Sequence, residues 1–329
     1  MAASEGPKLN HYGFQKEADP AQEEFENSYI PIIERRSRRW AEILGDASAT
    51  DVAINDPRVK RFIRKGIPPE LRSQLWPLVA GAEEAMRKYP KEYTRLSKID
   101  LAQAAGYQIG LDLHRTFPEN EFFRSAESGL KEQLVQVLHC LAVKHPNVGY
   151  CQGLNYIAGM VLLVEKDPER SFWTVESLVS EIIDYYTAEM HGLKVDVEVL
   201  RELIKQRSKE LDAFFERMDF DLLLVVSKWF ICWFIDVLPL QTLLRVWDCL
   251  LHEGPKILFR VALTLILKHK TELMEAKHFG DLVEKLQKLP NSDYTRDCHA
   301  FLQDIFTLPG TLSSKTIDAL RQKHRALAQ

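Results

Sequence analysis

Apolar residues recur every three or four positions along most of the chain from residue 130 onward, which is the period of amphipathic α-helices. One apolar stripe consists of Leu130, Leu134, Val137, Leu138 and Leu141. The next stripe begins directly after Gly153 and consists of Leu154, Ile157, Met160, Val161 and Val164. Gln152 therefore stands at the predicted entrance of a helix.

Helix-terminating residues separate the later stripes. Asp167 followed by Pro168 is typical of an N-cap with proline at the first helical position, and Gly254 followed by Pro255 is typical of a helix end. The pattern then predicts helices over residues 257–274, 278–289, 294–306 and 314–328. We find no convincing strand with a period of two and no long internal repeat. The sequence predicts a compact all-α domain.

Two segments stand out against this pattern. Residues 222–239 are strongly apolar, but Ser227, Lys228 and Asp236 interrupt them, so a buried core helix is a better interpretation than a membrane span. Residues 34–40, ERRSRRW, hold four arginines in five positions. We interpret this run as the solvated face of one short helix in an N-terminal extension, although an acidic partner or anionic lipid would also suit it.

Composition allows a large core and removes several classes of function. The 329 residues are 46% hydrophobic, and their net charge of -4 provides no overall field for nucleic acid. The first thirty residues contain no signal-peptide core, so the expected location is cytoplasmic. The five cysteines form no C-x-x-C pair, which argues against a disulfide framework or a zinc ribbon and favours small buried residues.

The sequence lacks the motifs of nucleotide-binding sites, of zinc-dependent hydrolases and of serine hydrolases. Three polar segments remain within an otherwise apolar pattern: GIPPELRSQLW at 66–76, IGLDLHRTFP at 109–118 and YCQGLN at 150–155. Trp76 and Trp247 are interpreted as core residues, because large aromatic side chains at helical spacing usually are. Any chemistry is therefore expected in the polar segments.

Asp112 and Arg115 lie three residues apart, so on one helical turn the carboxylate can orient the guanidinium. The following residues, Thr116 to Pro118, are expected to break the helix. An arginine held at a helix end suits insertion into a negatively charged site of a partner. The alternative is an exposed arginine that is merely solvated.

Gln152 also has two interpretations. Its amide carries donors and an acceptor, as the positioning of a water requires, but it could equally satisfy nearby backbone groups. The flanking Gly149 and Gly153 would permit close approach of another surface.

The three polar segments, in this order, resemble the three signature blocks of the TBC domain family, and RVWDCLLHEG at 245–254 is also similar to that family. The resemblance covers about residues 65–308. It implies a two-lobed, all-helical GTPase-activating protein for Rab GTPases, active in vesicle trafficking. Residues 1–60 are then a partly helical N-terminal extension, residues 61–310 the TBC domain and residues 311–329 a C-terminal helix.

The resemblance also implies roles for individual residues. Arg115 and Gln152 would be the catalytic pair inserted into the partner's nucleotide site, where Arg115 supplies positive charge and Gln152 orients the attacking water. Asp112, Arg72 and Tyr150 are expected to support them. Asp112 would hold Arg115, whereas Arg72 would either brace the two loops from behind or form a plain structural ion pair.

The expected partner is a GTP-bound Rab GTPase, and nucleic acid is not expected. GTP and Mg²⁺ would belong to the partner, so the chain is expected to need no cofactor or metal of its own and to catalyse only in complex. Contact with intracellular membranes is expected only through the partner.

Two rival functions remain. The first is a catalytically silent scaffold that binds a small GTPase, although the chain retains both catalytic residues. The second is a cysteine hydrolase using Cys151 with His145 or His191, for which the spacing identifies no base or orienting residue.

Overall fold

The computed structural model describes residues 9–15, 20–44 and 56–327. Within these ranges there is no β-strand, only an isolated bridge between Leu9 and Gln15. The predicted all-α class is confirmed. The chain divides into two compact units, the first extending to Ser180 and the second beginning at Glu181.

The helices of the first unit are α1 Pro20–Leu44, α2 Pro57–Lys65, α3 Pro69–Val79, α4 Ala82–Lys88, α5 Glu92–Leu96, α6 Gln103–Leu113, α7 Glu121–Arg124, α8 Leu130–Lys144, α9 Leu154–Glu165 and α10 Pro168–Val179. Those of the second unit are α11 His191–Arg207, α12 Lys209–Arg217, α13 Leu223–Ile231, α14 Leu240–Glu253, α15 Lys256–Lys268, α16 Lys270–Met274, α17 Phe279–Lys288, α18 Asp293–Arg296, α19 Cys298–Thr307 and α20 Ser314–Leu327. Short 3-10 turns cover Ala126–Ser128, Ser180–Tyr185 and Leu289–Asn291.

The N-terminal helix is longer than the sequence indicates. We predicted one short helix there, but α1 has 25 residues and contains Pro31. Trp40 explains how the helix is held: its indole is fully buried, donates to the carbonyl oxygen of Gly66 at 3.2 Å and packs against Phe62. Tertiary packing of this kind outweighs weak local propensity.

The basic run is also not uniformly solvated. Arg35, Arg38 and Arg39 are exposed, as expected for a helix face in water. Arg36 is buried and donates to the hydroxyl of Tyr29. The run therefore combines exposed cations with one arginine that helps to fold α1.

The helix predicted over residues 257–274 is shorter in the structure, where α15 ends at Lys268. Nδ1 of His269 lies 2.9 Å from the carbonyl oxygen of Leu265, which is the acceptor that the His269 backbone N–H would use in a continuing helix. A side chain that takes this acceptor competes with the helical ladder. The chain consequently restarts as the separate helix α16.

The apolar segment at 222–239 is only partly helical, so the predicted core helix is wrong over its second half. After α13 the chain turns, and Trp233, Phe234 and Asp236 adopt positive φ values of 50°, 66° and 60°. Trp233 and Phe234 are fully buried, and burial of two large rings offsets this backbone strain. Across the described residues, no helix combines the length and apolar character needed to cross a bilayer.

Helix α9 lies at the centre of the first unit. Every residue of α9 except Tyr156 is buried, and the helix packs against α3, α6, α8 and α10. Such a helix cannot shift without disturbing several interfaces, because protein interiors are close-packed. Its N-terminal end therefore offers a fixed platform for the residues that precede it.

The C-terminal helix α20 packs on α11 within the second unit. Arg321 donates from Nε and Nη2 to the two carboxylate oxygens of Asp196, at 2.7 Å and 2.6 Å. Asp196 is buried and also accepts from the hydroxyl of Tyr185. The domain boundaries after residues 60 and 310 stay predictions.

We expect Arg321→Ala to lower the free energy of unfolding by about 3 kcal/mol, because it leaves the Asp196 carboxylate buried without its cation. Arg325→Ala is the matched control, since Arg325 and its partner Asp184 are both about half exposed, and we expect a change below about 1 kcal/mol. Urea denaturation followed by circular dichroism measures both. Equal losses for the two variants would contradict the proposed importance of the buried pair.

Candidate functional site

Helix α6 ends in a turn that Thr116 and Phe117 shape. The Thr116 hydroxyl donates to the carbonyl oxygen of Asp112 at 2.8 Å, which satisfies an acceptor in the last helical turn. Phe117 has a φ of 47° and is buried edge-on against the ring of Tyr156. The chain thus leaves the helix directly after Arg115, at the predicted break.

Asp112 is a buried carboxylate with two partners. One oxygen pairs with the guanidinium of Arg115, and the other accepts from the hydroxyl of Tyr150 at 2.5 Å. The Arg115 side chain nevertheless remains 49% exposed. Arg115 is therefore anchored on one side and open to solvent on the other.

Tyr150 remains a hydrogen-bond donor over the whole physiological pH range. Burial raises the pKa of the Tyr150 phenol above its usual range, and the hydrogen bond to Asp112 raises it further. A phenol that keeps its proton can donate a hydrogen bond to the Asp112 carboxylate. Tyr150 and Arg115 thus hold Asp112 from two directions.

The turn that carries Gln152 is bounded by two glycines in left-handed backbone conformations. Gly149 has a φ of 62° and Gly153 a φ of 112°, values that other residues adopt only under strain. Gln152 is exposed, and its side chain makes no hydrogen bond within the described part of the chain. Its amide is therefore available to an external group.

Asn155 ties this turn to the end of α6. Its buried side chain accepts from the Gly153 backbone N–H at 3.0 Å and donates to the Thr116 hydroxyl at 2.8 Å. Tyr156 adds a third link, since its hydroxyl donates to the carbonyl oxygen of Arg115 at 3.2 Å. Together with the bond between Tyr150 and Asp112, these contacts hold the Arg115 and Gln152 turns together.

Our sequence interpretation did not single out Asn155 or Tyr156. The available signal was a polar asparagine in the first turn of an otherwise apolar helix, since a buried polar side chain needs partners.

Arg72 lies on α3 and is almost fully buried. Its guanidinium donates to the hydroxyl of Tyr12 at 3.0 Å, and the carbonyl oxygen of Tyr12 accepts from Asn120 at 2.8 Å. The backbone N–H of Asn120 donates in turn to the carbonyl oxygen of Phe117. Arg72 is thereby connected to the turn that follows Arg115, and its bracing role stays a prediction.

Cys151 lacks the surroundings of a nucleophile. Burial raises the pKa of its thiol, and the negative charge of Asp112 raises it further, whereas reactive cysteines have a lowered pKa. Nε2 of His145 is paired with Glu176 at 2.6 Å, and His191 belongs to the second unit. No group of three or more potential metal ligands occurs among residues 9–15, 20–44 and 56–327.

Comparison with known families identifies the domain. The sequence model of the Rab-GTPase-TBC domain matches residues 69–274, more than half of the chain, and this range includes all five predicted site residues. The chain belongs to the TBC domain family. Membership confirms the resemblance carried by the three polar segments and makes Rab-family small GTPases the partner class of the domain.

Relatives of this TBC domain protein match along nearly its full length. Growth hormone-regulated TBC protein 1-A of Danio rerio is 44% identical over 323 residues, covering 97% of this chain and 90% of that protein. The crystal structure of the Chlamydomonas flagellar RabGAP TBC domain has a TM-score of 0.75 and 28% identity, covering 91% of this chain and 99% of that one. The Ypt/Rab-GAP domain of Gyp1p, at 21% identity, 84% and 98% coverage and a TM-score of 0.70, shows the shared fold.

We expect Asn155→Ala to lower the free energy of unfolding of the TBC domain by about 2 to 3 kcal/mol, because it removes the acceptor of the Gly153 N–H and the donor to the Thr116 hydroxyl. Gln152→Ala changes an exposed residue of the same turn and should alter stability by less than about 0.5 kcal/mol. Thermal and urea denaturation provide the comparison. A neutral Asn155→Ala would show that its two hydrogen bonds do not hold the turns.

Proposed function

We propose that this TBC domain accelerates GTP hydrolysis by Rab-family GTPases, with Arg115 and Gln152 entering the nucleotide site of the partner. The observation that carries the proposal is the pairing of an anchored, half-exposed arginine with a glutamine whose amide is uncommitted, on two turns joined by hydrogen bonds. The scaffold alternative needs neither feature.

Arg115 would stabilise the negative charge that develops during GTP hydrolysis. Negative charge spreads over the transferring phosphoryl oxygens, and an arginine supplied in trans contributes roughly 10³ to 10⁵ in rate. The guanidinium is planar and can donate to two oxygens at once, so it suits a phosphoryl group better than a lysine does. Asp112 keeps the guanidinium oriented before the partner arrives, which reduces the entropy lost on insertion.

Gln152 would orient the attacking water. Its carbonyl oxygen can accept a hydrogen bond from the water while its NH₂ group donates a hydrogen bond to a neighbouring oxygen. The left-handed Gly153 and the bond from Gly153 N–H to Asn155 fix the backbone beside it. A side chain with few internal contacts on a fixed backbone is suited to this task.

The partner would bring GTP and Mg²⁺, so the chain supplies no cofactor or metal and catalyses only in the complex. We further propose that the preferred partner state is GTP-bound, and that the protein works in the cytoplasm in vesicle trafficking and reaches membranes through its partner.

We expect Arg115→Ala to reduce the maximal stimulated hydrolysis rate roughly 10³-fold or more and Gln152→Ala to reduce it roughly 10²-fold. Gln152 is exposed and its amide makes no hydrogen bond within the described part of the chain, so Gln152→Ala should leave the melting temperature nearly unchanged. Arg115→Ala should lower the melting temperature, because Asp112 stays buried without its cation, so its rate is measured at a temperature where the variant is folded. Arg115→Lys keeps the charge and should recover only a small part of the rate. Phosphate release from a panel of GTP-loaded Rab proteins measures all three.

If the wild-type protein binds a Rab but accelerates none in a broad panel, the scaffold function replaces the proposal. Full activity of either alanine variant would instead remove that residue from the catalytic pair.

We expect Tyr150→Phe to lower the maximal rate about tenfold, since Asp112 loses one partner and holds Arg115 less firmly. The activator concentration for half-maximal stimulation should stay the same, which a general loss of folding would not produce. Cys151→Ser, in the same turn, should leave the rate unchanged. Loss of activity in Cys151→Ser would indicate that the Cys151 thiol takes part in the reaction.

A further inference from the structure

Helix α6 presents an unusual outer face. Residues 103–111, QAAGYQIGL, contain no charged residue, and within α6 only Ile109 and Asp112 are buried. A surface helix normally carries charged or polar residues opposite its buried stripe. Here Tyr107 and Leu111 are 66% and 50% exposed. The outer face of α6 thus has no charged residue between 103 and 111, and it exposes two large apolar side chains beside Gln103 and Gln108.

This face is continuous with Arg115. Tyr107, Leu111 and Arg115 follow each other at intervals of four residues, which places them on one side of a helix with a rise of about 6 Å per interval. The helical path continues past Leu113, because His114 has helical φ and ψ values and the Arg115 N–H donates to Asp112. A partner that receives Arg115 would therefore lie over Leu111 and Tyr107.

Two glycines within α6 add an independent observation. A Cβ atom at Gly110 would meet nothing within 4 Å, and one at Gly106 would make only an ordinary contact with Leu101. Neither glycine has a positive φ. Glycine weakens a helix interior relative to alanine, so neither backbone shape nor internal space accounts for it at Gly110. Close approach of an external surface to the helix backbone does account for it.

We propose that the outer face of α6, formed by Tyr107, Gly110 and Leu111, is the docking surface for the Rab partner. The proposal rests on the proposed function and names the partner-binding residues beside its catalytic pair. The matching surface on the GTPase is apolar, uncharged and adjacent to its nucleotide site. Tyr107 and Leu111 pack against this surface of the GTPase, and Gly110 lets the surface approach the helix backbone.

The first test uses Tyr107→Ala and Leu111→Ala with a Rab protein that responds to the wild type. Each variant should raise the half-maximal activator concentration about tenfold or more and leave the maximal rate within about twofold, because the contact serves binding rather than chemistry. Leu224→Ala is the matched control, since Leu224 is a 58% exposed leucine on the second unit. Unchanged half-maximal concentrations in both α6 variants would overturn the proposal.

The second test is Gly110→Ala. It should leave the melting temperature equal or raise it, because alanine favours helix, while raising the half-maximal concentration several-fold, because the added methyl group holds the partner away. A variant that is more stable yet binds less well cannot be explained by damage to the fold. Undiminished binding by Gly110→Ala would remove close backbone approach from the proposal.

Direct binding to GTP-loaded Rab proteins separates failure of this inference from failure of the proposed function. If the wild type binds a Rab without accelerating hydrolysis, and Tyr107→Ala weakens that binding, the docking surface is supported and the catalytic role is contradicted. Absence of binding to any Rab overturns both. Sedimentation of the free protein tests whether a second copy of the chain covers the outer face of α6 instead. If the protein is a dimer, and Leu111→Ala abolishes the dimer without changing Rab binding, the face is a dimer interface and the proposal is wrong.

Discussion

The site depends on the pairing of the buried Asp112 carboxylate. Burial removes the water that would otherwise solvate a carboxylate, so its oxygens need partners within the protein. Arg115 and Tyr150 occupy the two oxygens of Asp112. The same two contacts also position the end of α6 relative to the turn that bears Gln152, so one electrostatic requirement fixes two segments that are distant in the sequence.

Burial of α9 makes this arrangement rigid. The first turn of the helix holds Asn155 and Tyr156, which reach across to Thr116 and to the backbone of Arg115. Gly159 allows the close approach, because a Cβ there would lie 3.1 Å from Thr116 and 3.2 Å from the ring of Phe117. The exposed residues thus rest on a buried scaffold of hydrogen bonds and close packing.

The fold class and the main helices could be predicted from sequence because the apolar stripes are long and regular. The errors occurred where side chains compete with local propensity: His269 takes a helical acceptor, Trp233 and Phe234 enter the core through a left-handed turn, and Trp40 stabilises a helix with weak periodicity. The pairing of Asp112 with Arg115 follows from their spacing. The links through Asn155 and Tyr156 do not, because they join residues about forty positions apart.

The openness of Gln152 has a consequence for descent. The Gln152 side chain makes no hydrogen bond within the described part of the chain, so a mutation of Gln152 would be nearly invisible to selection for folding. Arg115 differs, because its loss would leave Asp112 buried without its cation. Under the proposed function, a lineage could lose the contribution of Gln152 in a single step while keeping an intact, partner-binding domain. Selection on the fold alone would not preserve this glutamine, whereas selection on the proposed reaction would.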